Sequence, residues 1–378
     1  MKNKNITLGI VGGGQLGRML VEAAKKLNIK TIVLDPTPQS PAAQVANEQI
    51  VGDFKDGRKI RLLAKKSDFI TFEIESANAK TLQKLVESGY HIQPDPRTLE
   101  TIQDKLLQKQ FLLANSLPSA QFTQVSSYAD IIKAAEYLGY PLVLKARFHG
   151  YDGRGNAIIN SKKDIKSALV KLKGKKLYLE KYIHFKKELA IQIVRNTKGQ
   201  TRTFPIVETI QKNNICHIVK YPASVQFQVQ KQAKMLAKKT VSALFGAGVF
   251  GIEMFLTKEN KVLINEIASR VHNSGHWTIE GCQTSQFDEH IRAVCNISLK
   301  STKPKVKAAV MINILGDRNE PAKLKGLQKV KKLPGVYVHI YGKFETRKER
   351  KMGHITVIDK SLKSAFKKAQ KARSLISI

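Results

Sequence analysis

The sequence predicts an α/β protein that opens on a Rossmann-like βαβ unit and closes on a smaller, basic, β-rich unit. Three observations predict it. The apolar run "NITLGI" meets the glycine turn Gly12-x-Gly14-x-x-Gly17 and then a helical pattern; "YPLVLKARFHGYDGRGNAII" reads as two strands joined by a glycine-rich loop; and "GVFGIEMFLTKENKVLINEIASR" reads as a long β-hairpin. At 378 residues the chain exceeds one hydrophobic core, so two or three domains are expected.

Taken in order, residues 6–12 form a strand and residues 15–27 an amphipathic helix. Its apolar face is Leu16, Met19, Leu20, Ala23, Ala24 and Leu27, at i, i+3, i+4 spacing. A second strand, "KTIVLD", ends at Asp35 and completes the βαβ unit, and residues 67–75 supply a later strand of that sheet. Two prolines in "QPDPRTLETIQDK" mark a boundary before a helix with Thr98 as its expected cap. The texture changes near residue 140 to the strand–loop–strand, then to the strands "KLYLEKYI" and "ELAIQIVRN". A helix over 228–247 precedes the hairpin at 249–267, and "KAAVMINILG" and "GVYVHIYGK" are strands of the last unit.

Composition bounds the setting. No apolar run approaches the ~20 residues of a membrane helix. Cys216, Cys282 and Cys295 are too few and too scattered for a disulfide framework, so a reducing cytoplasm is expected. The chain carries 65 Lys and Arg against 30 Asp and Glu, a net charge of +35. Residues 301–378 hold 20 Lys and Arg against 5 Asp and Glu. Such a balance attracts polyanions. Most of it, however, is lysine in helical and turn settings such as "KKAQKAR" and "KLKGKK", which reads as solvated faces; no nucleic-acid partner is expected.

Four constellations carry chemistry. The glycine turn suits an anion at a helix N-terminus, and Asp35 stands where a ribose-binding acid would stand in a dinucleotide site. Alone, it fits a dinucleotide, another nucleotide-like ligand, or packing. Centring the hairpin turn on Glu259-Asn260 puts Glu253 opposite Glu266, ~5 Å apart on one face. Facing carboxylates repel unless a proton or cation lies between them, and Mg²⁺ takes few carboxylates together with substrate phosphates. Two solvated glutamates are the plain alternative, against which Ile252, Met254, Ile264 and Ile267 suggest burial. Lys145 with the loop "HGYDGRGN" at 149–156 is either a phosphate lid or a common hairpin. Arg270, His272, Asn273 and His276 crowd one short loop after the hairpin, an arrangement suited to a small anion.

At these residues the chain resembles the N5-carboxyaminoimidazole ribonucleotide synthases of the ATP-grasp superfamily. The resemblance runs nearly end to end, through "GGGQLGRM", "TFEIE", "QDKLLQKQFL", "YPLVLKARFHGYDGRGN", "EKYIHFKKELA", "GIEMFL", "NEIASRVHNSGHWTIEGC" and "YGKFETRKERKMGHIT". It implies an ATP-grasp fold in three parts: a pre-ATP-grasp domain over 1–100, an ATP-grasp domain over 101–298 with a lid at about 115–183, and a basic C-terminal domain over 299–378. It also implies ATP- and bicarbonate-dependent carboxylation of 5-aminoimidazole ribonucleotide through carboxyphosphate, in purine biosynthesis. A homodimer and a separate mutase to receive the product follow from the same resemblance.

The implied roles fall residue by residue. Gln15 and Leu16 would touch the ribonucleotide, so no nicotinamide is expected. Lys105 and Lys145 would contact phosphates, beneath a loop of Gly150, Tyr151, Asp152, Gly153, Arg154, Gly155 and Asn156. Tyr151, Asp152 and Arg154 would reach both ATP and substrate. Glu180, Lys181, Tyr182 and Ile183 would read adenine, Glu188 the ribose hydroxyls, and Gln211 would line the nucleotide site. Glu253 and Glu266 would hold magnesium, with Asn265 alongside. Arg270, His272 and Lys343 would hold bicarbonate, with Asn273 and Ser274 on the substrate. Lys343, Arg350 and Lys351 are the basic set for its 5′-phosphate, and Glu73 an acceptor for its ribose. Ala146, Phe148, His149, Asn156, Gln211, Ser76 and Ser269 depart from the family's usual residues. Three rivals make distinct forecasts. A formate-dependent ATP-grasp enzyme would lack "RVHNSGHWT", an oxidoreductase would bind NADH without forming ADP, and a nucleic-acid binder would need no ATP.

Overall fold

Four short apolar runs make the first sheet. Strands β1 (Thr7–Val11), β2 (Lys30–Asp35), β3 (Glu48–Val51) and β4 (Phe69–Phe72) pair in parallel in the order β3-β2-β1-β4. The protein is described by a computed structural model covering residues 6–148, 150 and 155–378; His149, Tyr151, Asp152, Gly153 and Arg154 of the expected lid lie outside the described residues. The helix Gln15–Lys26 buries Leu16, Met19, Leu20, Ala23 and Ala24, as the spacing predicts, and Val21 besides, while the expected Leu27 is its half-buried C-cap. Strand order reverses between β1 and β4, which puts Gly12–Gly14 at the carboxyl edge where such sheets bind ligands. Thr98 does not cap the next helix, Pro96–Gln103. Asp95 does, accepting from Arg97 N at 2.9 Å, because a carboxylate directly before Pro at N1 is the stronger cap. The Thr98 hydroxyl instead donates to Phe245 O and accepts from Phe245 N.

The lid is a separate layer with its own core. Strands β5 (Phe122–Val125), β6 (Leu142–Ala146), β7 (Asn156–Ile159) and β8 (Leu177–Lys181) run antiparallel in the order β5-β8-β6-β7. The helices Tyr128–Leu138 and Ile165–Lys171 bury Ile131, Ile165 and their neighbours against Leu142, Leu144 and Leu179.

The large sheet gathers nine strands. These are β9 (Phe185–Arg195), β10 (Thr201–Thr203), β11 (Val207–Lys212), β12 (Ile215–Tyr221), β13 (Gly248–Thr257), β14 (Val262–Ala268) and β15 (Ala308–Leu315), with two more from the C-terminal segment. A short ribbon of β16 (Glu320–Pro321) and β18 (Glu345–Thr346) stands apart, while β17 (Val336–Ile340) and β19 (Lys351–Asp359) complete the sheet. Its order is β14-β13-β9-β11-β12-β15-β19-β17, with β10 on β9. The C-terminal strands expected in a unit of their own therefore extend this sheet, through antiparallel pairing of β12 with β15. All eight residues of β15 are buried, which an edge strand of a small separate unit would not achieve. The helix expected over 228–247 spans Phe227–Ala243, since Leu244 turns extended and Gly246 adopts φ +87°. No helix among the described residues is long and apolar enough to cross a membrane.

Candidate active site

The glycine turn satisfies itself. Gly13 N donates to Asp35 Oδ2 and Gly14 N to Glu73 Oε1, both at 2.8 Å. In a dinucleotide site those N–H groups would face pyrophosphate and the acid a ribose. Here two carboxylates of the chain take them instead, and their negative charge disfavours a pyrophosphate at the turn. Gly12 adopts φ +100°, and a Cβ there would sit 2.8 Å from Glu73 Oε1, so the turn needs glycine. Burial pushes the Glu73 carboxyl up to about 7, against the Gly14 N–H bond and the nearby Arg270 and Lys343 charges.

Beside this turn lies a cavity of about 1280 Å³, walled by the first sheet, the lid and the large sheet. At its floor Glu253 pairs with Glu266 across β13 and β14, the opposition that the hairpin arithmetic predicts. Toward the turn the register slips by one residue, because Asn265 bulges out of the ladder. Both carboxylates and Asn265 line the cavity. Lys105 Nζ is bonded to Glu266 Oε1. Burial opposes charge on Glu266, but Lys105 outweighs it and holds the carboxyl below the usual range. Glu253 has no such partner: burial and the Glu266 charge raise it to about 8. Two half-buried facing carboxylates, shifted in opposite directions by Lys105 and by each other, are a donor set that a divalent cation fits. Among the described residues no three His, Cys, Asp or Glu side chains gather in a group that could hold a metal ion.

The lid side carries the positive charge. Lys145 Nζ lies 2.8 Å from Glu180 Oε2, and Lys109 Nζ lies 3.1 Å from Glu180 Oε1. Against the cost of burial, these two lysines draw Glu180 down to about 2. Asn156 pairs with Lys145 across β6 and β7, and Gly150 and Gly155 line the same wall. Lys181, Tyr182 and Ile183 follow on the rim, with Lys181 Nζ turned to Gly139 O at 3.1 Å. Glu188 is raised to about 7 by burial, and Gln211 hydrogen-bonds it. Arg147 grips Asp104 with two guanidinium nitrogens and ties the end of β6 to the cap of the helix Lys105–Ala114.

Opposite stands the loop after β14. Arg270 Nη2 lies 3.1 Å from Glu75 Oε1, and His272 Nε2 3.5 Å from Glu253 Oε1. Burial, with Arg270 and Lys351 nearby, lowers His272 to about 3, so the ring is neutral. Arg270, His272, Asn273 and Lys351 line the cavity, as do Gln15 and Leu16. Lys343 Nζ reaches the rim indirectly, donating to Gln15 Oε1 and Lys351 O, both at 2.6 Å. Two expected residues stand elsewhere. Ser274 lies behind His272 with its hydroxyl on His272 Nδ1 and Gln192, because the turn Asn273–Gly275 points it inward. Arg350 is off the cavity wall, its Nη1 donating to Glu345 O. His276 is fully buried against Gln286.

Several site residues escaped sequence reasoning. Gln108 clamps Ile267 at both backbone groups, at 2.8 and 3.0 Å, and so fixes the strand that carries Glu266. Gln286 clamps His272 in the same way, at 2.9 and 2.6 Å. Lys105, Gln108 and Lys109 stand at i, i+3, i+4, so the helical spacing of "DKLLQKQ" held a signal for the last two. Gln192 and Gln286 had none.

Three family models match consecutive parts of the chain: the ribonucleotide synthetase preATP-grasp domain at 5–103, the ATP-grasp domain at 110–287, and the phosphoribosylaminoimidazole carboxylase C-terminal domain at 309–368. Fold and site together thus define an ATP-grasp protein with a ribonucleotide-synthetase front. The N5-carboxyaminoimidazole ribonucleotide synthetase of Thermotoga maritima is 44% identical with a TM-score of 0.89, over 98% of this chain and 99% of that one. The Aspergillus clavatus N5-carboxyaminoimidazole synthase, solved with ADP and 5-aminoimidazole ribonucleotide, is 39% identical with a TM-score of 0.91, over 98% of both chains. The chain belongs to the N5-carboxyaminoimidazole ribonucleotide synthase family. It is also 42% identical over 374 residues to the phosphoribosylaminoimidazole carboxylase of Candida glabrata, and there it spans 65% of that protein's length.

Proposed function

We propose that this chain carboxylates 5-aminoimidazole ribonucleotide to N5-carboxyaminoimidazole ribonucleotide, using ATP and bicarbonate, in purine biosynthesis. The observation that carries the reading is the Glu253–Glu266 opposition at the floor of a cavity that also receives Arg270, His272 and Glu73. A bicarbonate oxygen attacks the γ-phosphorus of ATP, the bond to the ADP oxygen breaks, and carboxyphosphate forms. Its C–O bond then cleaves to phosphate and CO₂, which the exocyclic amine of the ribonucleotide captures as its proton passes to phosphate. Glu253 and Glu266, with Asn265 alongside, would hold magnesium, which would supply charge neutralisation to the triphosphate.

The chain's own residues position and shield. Arg270 and His272 hold bicarbonate, and Lys145 with the lid glycines Gly150 and Gly155 cradles the phosphates. Lys105 exchanges its bond to Glu266 for a phosphate oxygen. Glu180 to Ile183 and Glu188 bind adenosine, and Glu73, Gln15 and Leu16 the ribonucleotide. Lys343 and Lys351 face its 5′-phosphate. Closure of the lid excludes water, which would otherwise hydrolyse carboxyphosphate. The division at about residues 100 and 298 is supported by the bounds of the three family matches. We read the enzyme as a cytoplasmic homodimer that hands its product to a separate mutase. The burial of all three cysteines supports a reducing compartment.

Coupled ADP release with purified protein tests the reading. Turnover should require bicarbonate and rise with aminoimidazole ribonucleotide, and Glu266→Ala should lower it by about 10²-fold or more. Unchanged turnover in that variant breaks the metal argument, and tight NADH binding without ADP formation restores the oxidoreductase.

A further inference from the structure

We infer that Ser274, backed by Gln192, is a positioning residue that fixes the tautomer of His272, so that His272 meets the bicarbonate-derived group as an Nε2–H donor. The inference rests on the proposed function for its chemical meaning, though not for its geometry. His272 Nδ1 lies 3.4 Å from the backbone N of Ser274, an N–H that can only donate. Nδ1 therefore presents a lone pair. The Ser274 hydroxyl lies 2.8 Å from the same Nδ1, and Gln192 Nε2 donates into that hydroxyl oxygen at 2.7 Å. Because Nδ1 already accepts from the Ser274 N–H, the Ser274 hydroxyl can bond it only as a donor, and its oxygen is left to accept from Gln192. Two donors converge on one ring nitrogen, and the ring proton is left on Nε2.

The ring has no freedom to answer differently. Gln192 is fully buried and Ser274 is 1% exposed, so water does not compete for either. Gln286 fixes the His272 backbone at N and O. Beneath the ring, β13 offers Gly251, where a Cβ would come within 2.6 Å of His272 Cβ. The next turn leaves Gly275 for Gln286, since a Cβ there would meet Gln286 Oε1 at 2.4 Å. The Nε2 side faces the cavity floor, 3.5 Å from Glu253 Oε1. A donor aimed there stabilises oxygens of bicarbonate and carboxyphosphate as charge develops, and no proton leaves the ring during the step. In this arrangement His272 is no general base, since the nitrogen that carries its lone pair is turned to Ser274.

Long-range ¹H–¹⁵N correlation of the full chain, with ¹⁵N-labelled histidine and His272 assigned by its loss in His272→Gln, reads the tautomer directly. The expected spectrum at neutral pH has an unprotonated Nδ1 and a protonated Nε2. The reverse pattern, or a fully protonated ring, overturns the inference even where every variant folds poorly. Ser274→Ala should mix the tautomers and raise KM for bicarbonate about tenfold with KM for ATP unchanged, and Ser274→Thr should restore both. A merely structural serine would shift all constants and the melting point together. Wild-type tautomer signals and wild-type KM for bicarbonate in Ser274→Ala would also sink the idea. Should the native chain show no ribonucleotide-stimulated turnover, the proposed function fails while the spectrum still decides the tautomer.

Discussion

Glu73 binds the glycine turn with a carboxyl that would rather be neutral. Its native pKa of about 7 lies above the ordinary 4.5, so between those values the folded state holds a proton that the unfolded chain has released. Stability from this group is present below pH 4.5 and is lost as pH rises toward 7. Glu73→Gln keeps an oxygen for Gly14 N–H and removes the charge. Without ligands it should melt like wild type at pH 5 and gain on the order of 1–3 kcal/mol relative to wild type by pH 8. Thermal melts across that range check it; a constant offset would mean that the carboxyl ionises freely. The same logic separates the floor carboxylates. Lys105 holds the Glu266 carboxyl below its ordinary range while burial and the Glu266 charge raise that of Glu253, so a cation at this pair would compete with a proton and with Lys105.

Strand β13 carries chemistry through what it lacks as much as through Glu253. Gly251, two residues before Glu253, lies under His272 and leaves no room for a methyl group. Gly251→Ala should displace the 270–278 loop by a fraction of an ångström and cost about 10²-fold in kcat/KM for bicarbonate. The β13–β14 pairing should survive, since a strand accepts Ala without backbone strain. Steady-state kinetics with circular dichroism tests both halves, and full activity would show that His272 has slack. The bulge at Asn265 belongs to the same scale. It aims an amide into the cavity next to Glu266 and keeps Glu253 and Glu266 opposed, although the turn beyond is offset by one.

At the scale of the molecule, the first and last segments of the chain close one site. Lys343 reaches across to Gln15 on the first helix, and Gln44 Nε2 donates to Gly342 O at 2.7 Å just beside it. Continuity of the large sheet through β12, β15 and β19 holds this reach rigid. Lys343→Met should raise KM for aminoimidazole ribonucleotide about tenfold or more and leave KM for ATP unchanged, because neither Lys343 nor Gln15 belongs to the Glu180–Ile183 segment proposed to bind adenosine. Equal losses on both substrates would assign Lys343 to the architecture instead.

The sequence by itself determined what short-range geometry controls. A glycine turn before an i, i+3, i+4 apolar face yields strand, turn and helix; the Glu253–Glu266 opposition anticipated by counting from the hairpin turn holds in the fold because the Asn265 bulge absorbs the one-residue offset nearer the turn. Motif resemblance carried the family. What only the tertiary structure decided depends on partners distant in the chain. Asp35 and Glu73 occupy the turn that a nucleotide would otherwise claim, Lys109 and Lys145 both pair with Glu180, and Gln108 and Gln286 each clamp a backbone segment. The cap at Asp95 instead of Thr98, the inward Ser274 and the fusion of the C-terminal strands into the large sheet belong there too. Periodicity and turn chemistry act over a few residues. The choice of a buried polar partner or a free sheet edge is made by packing, which no local pattern records.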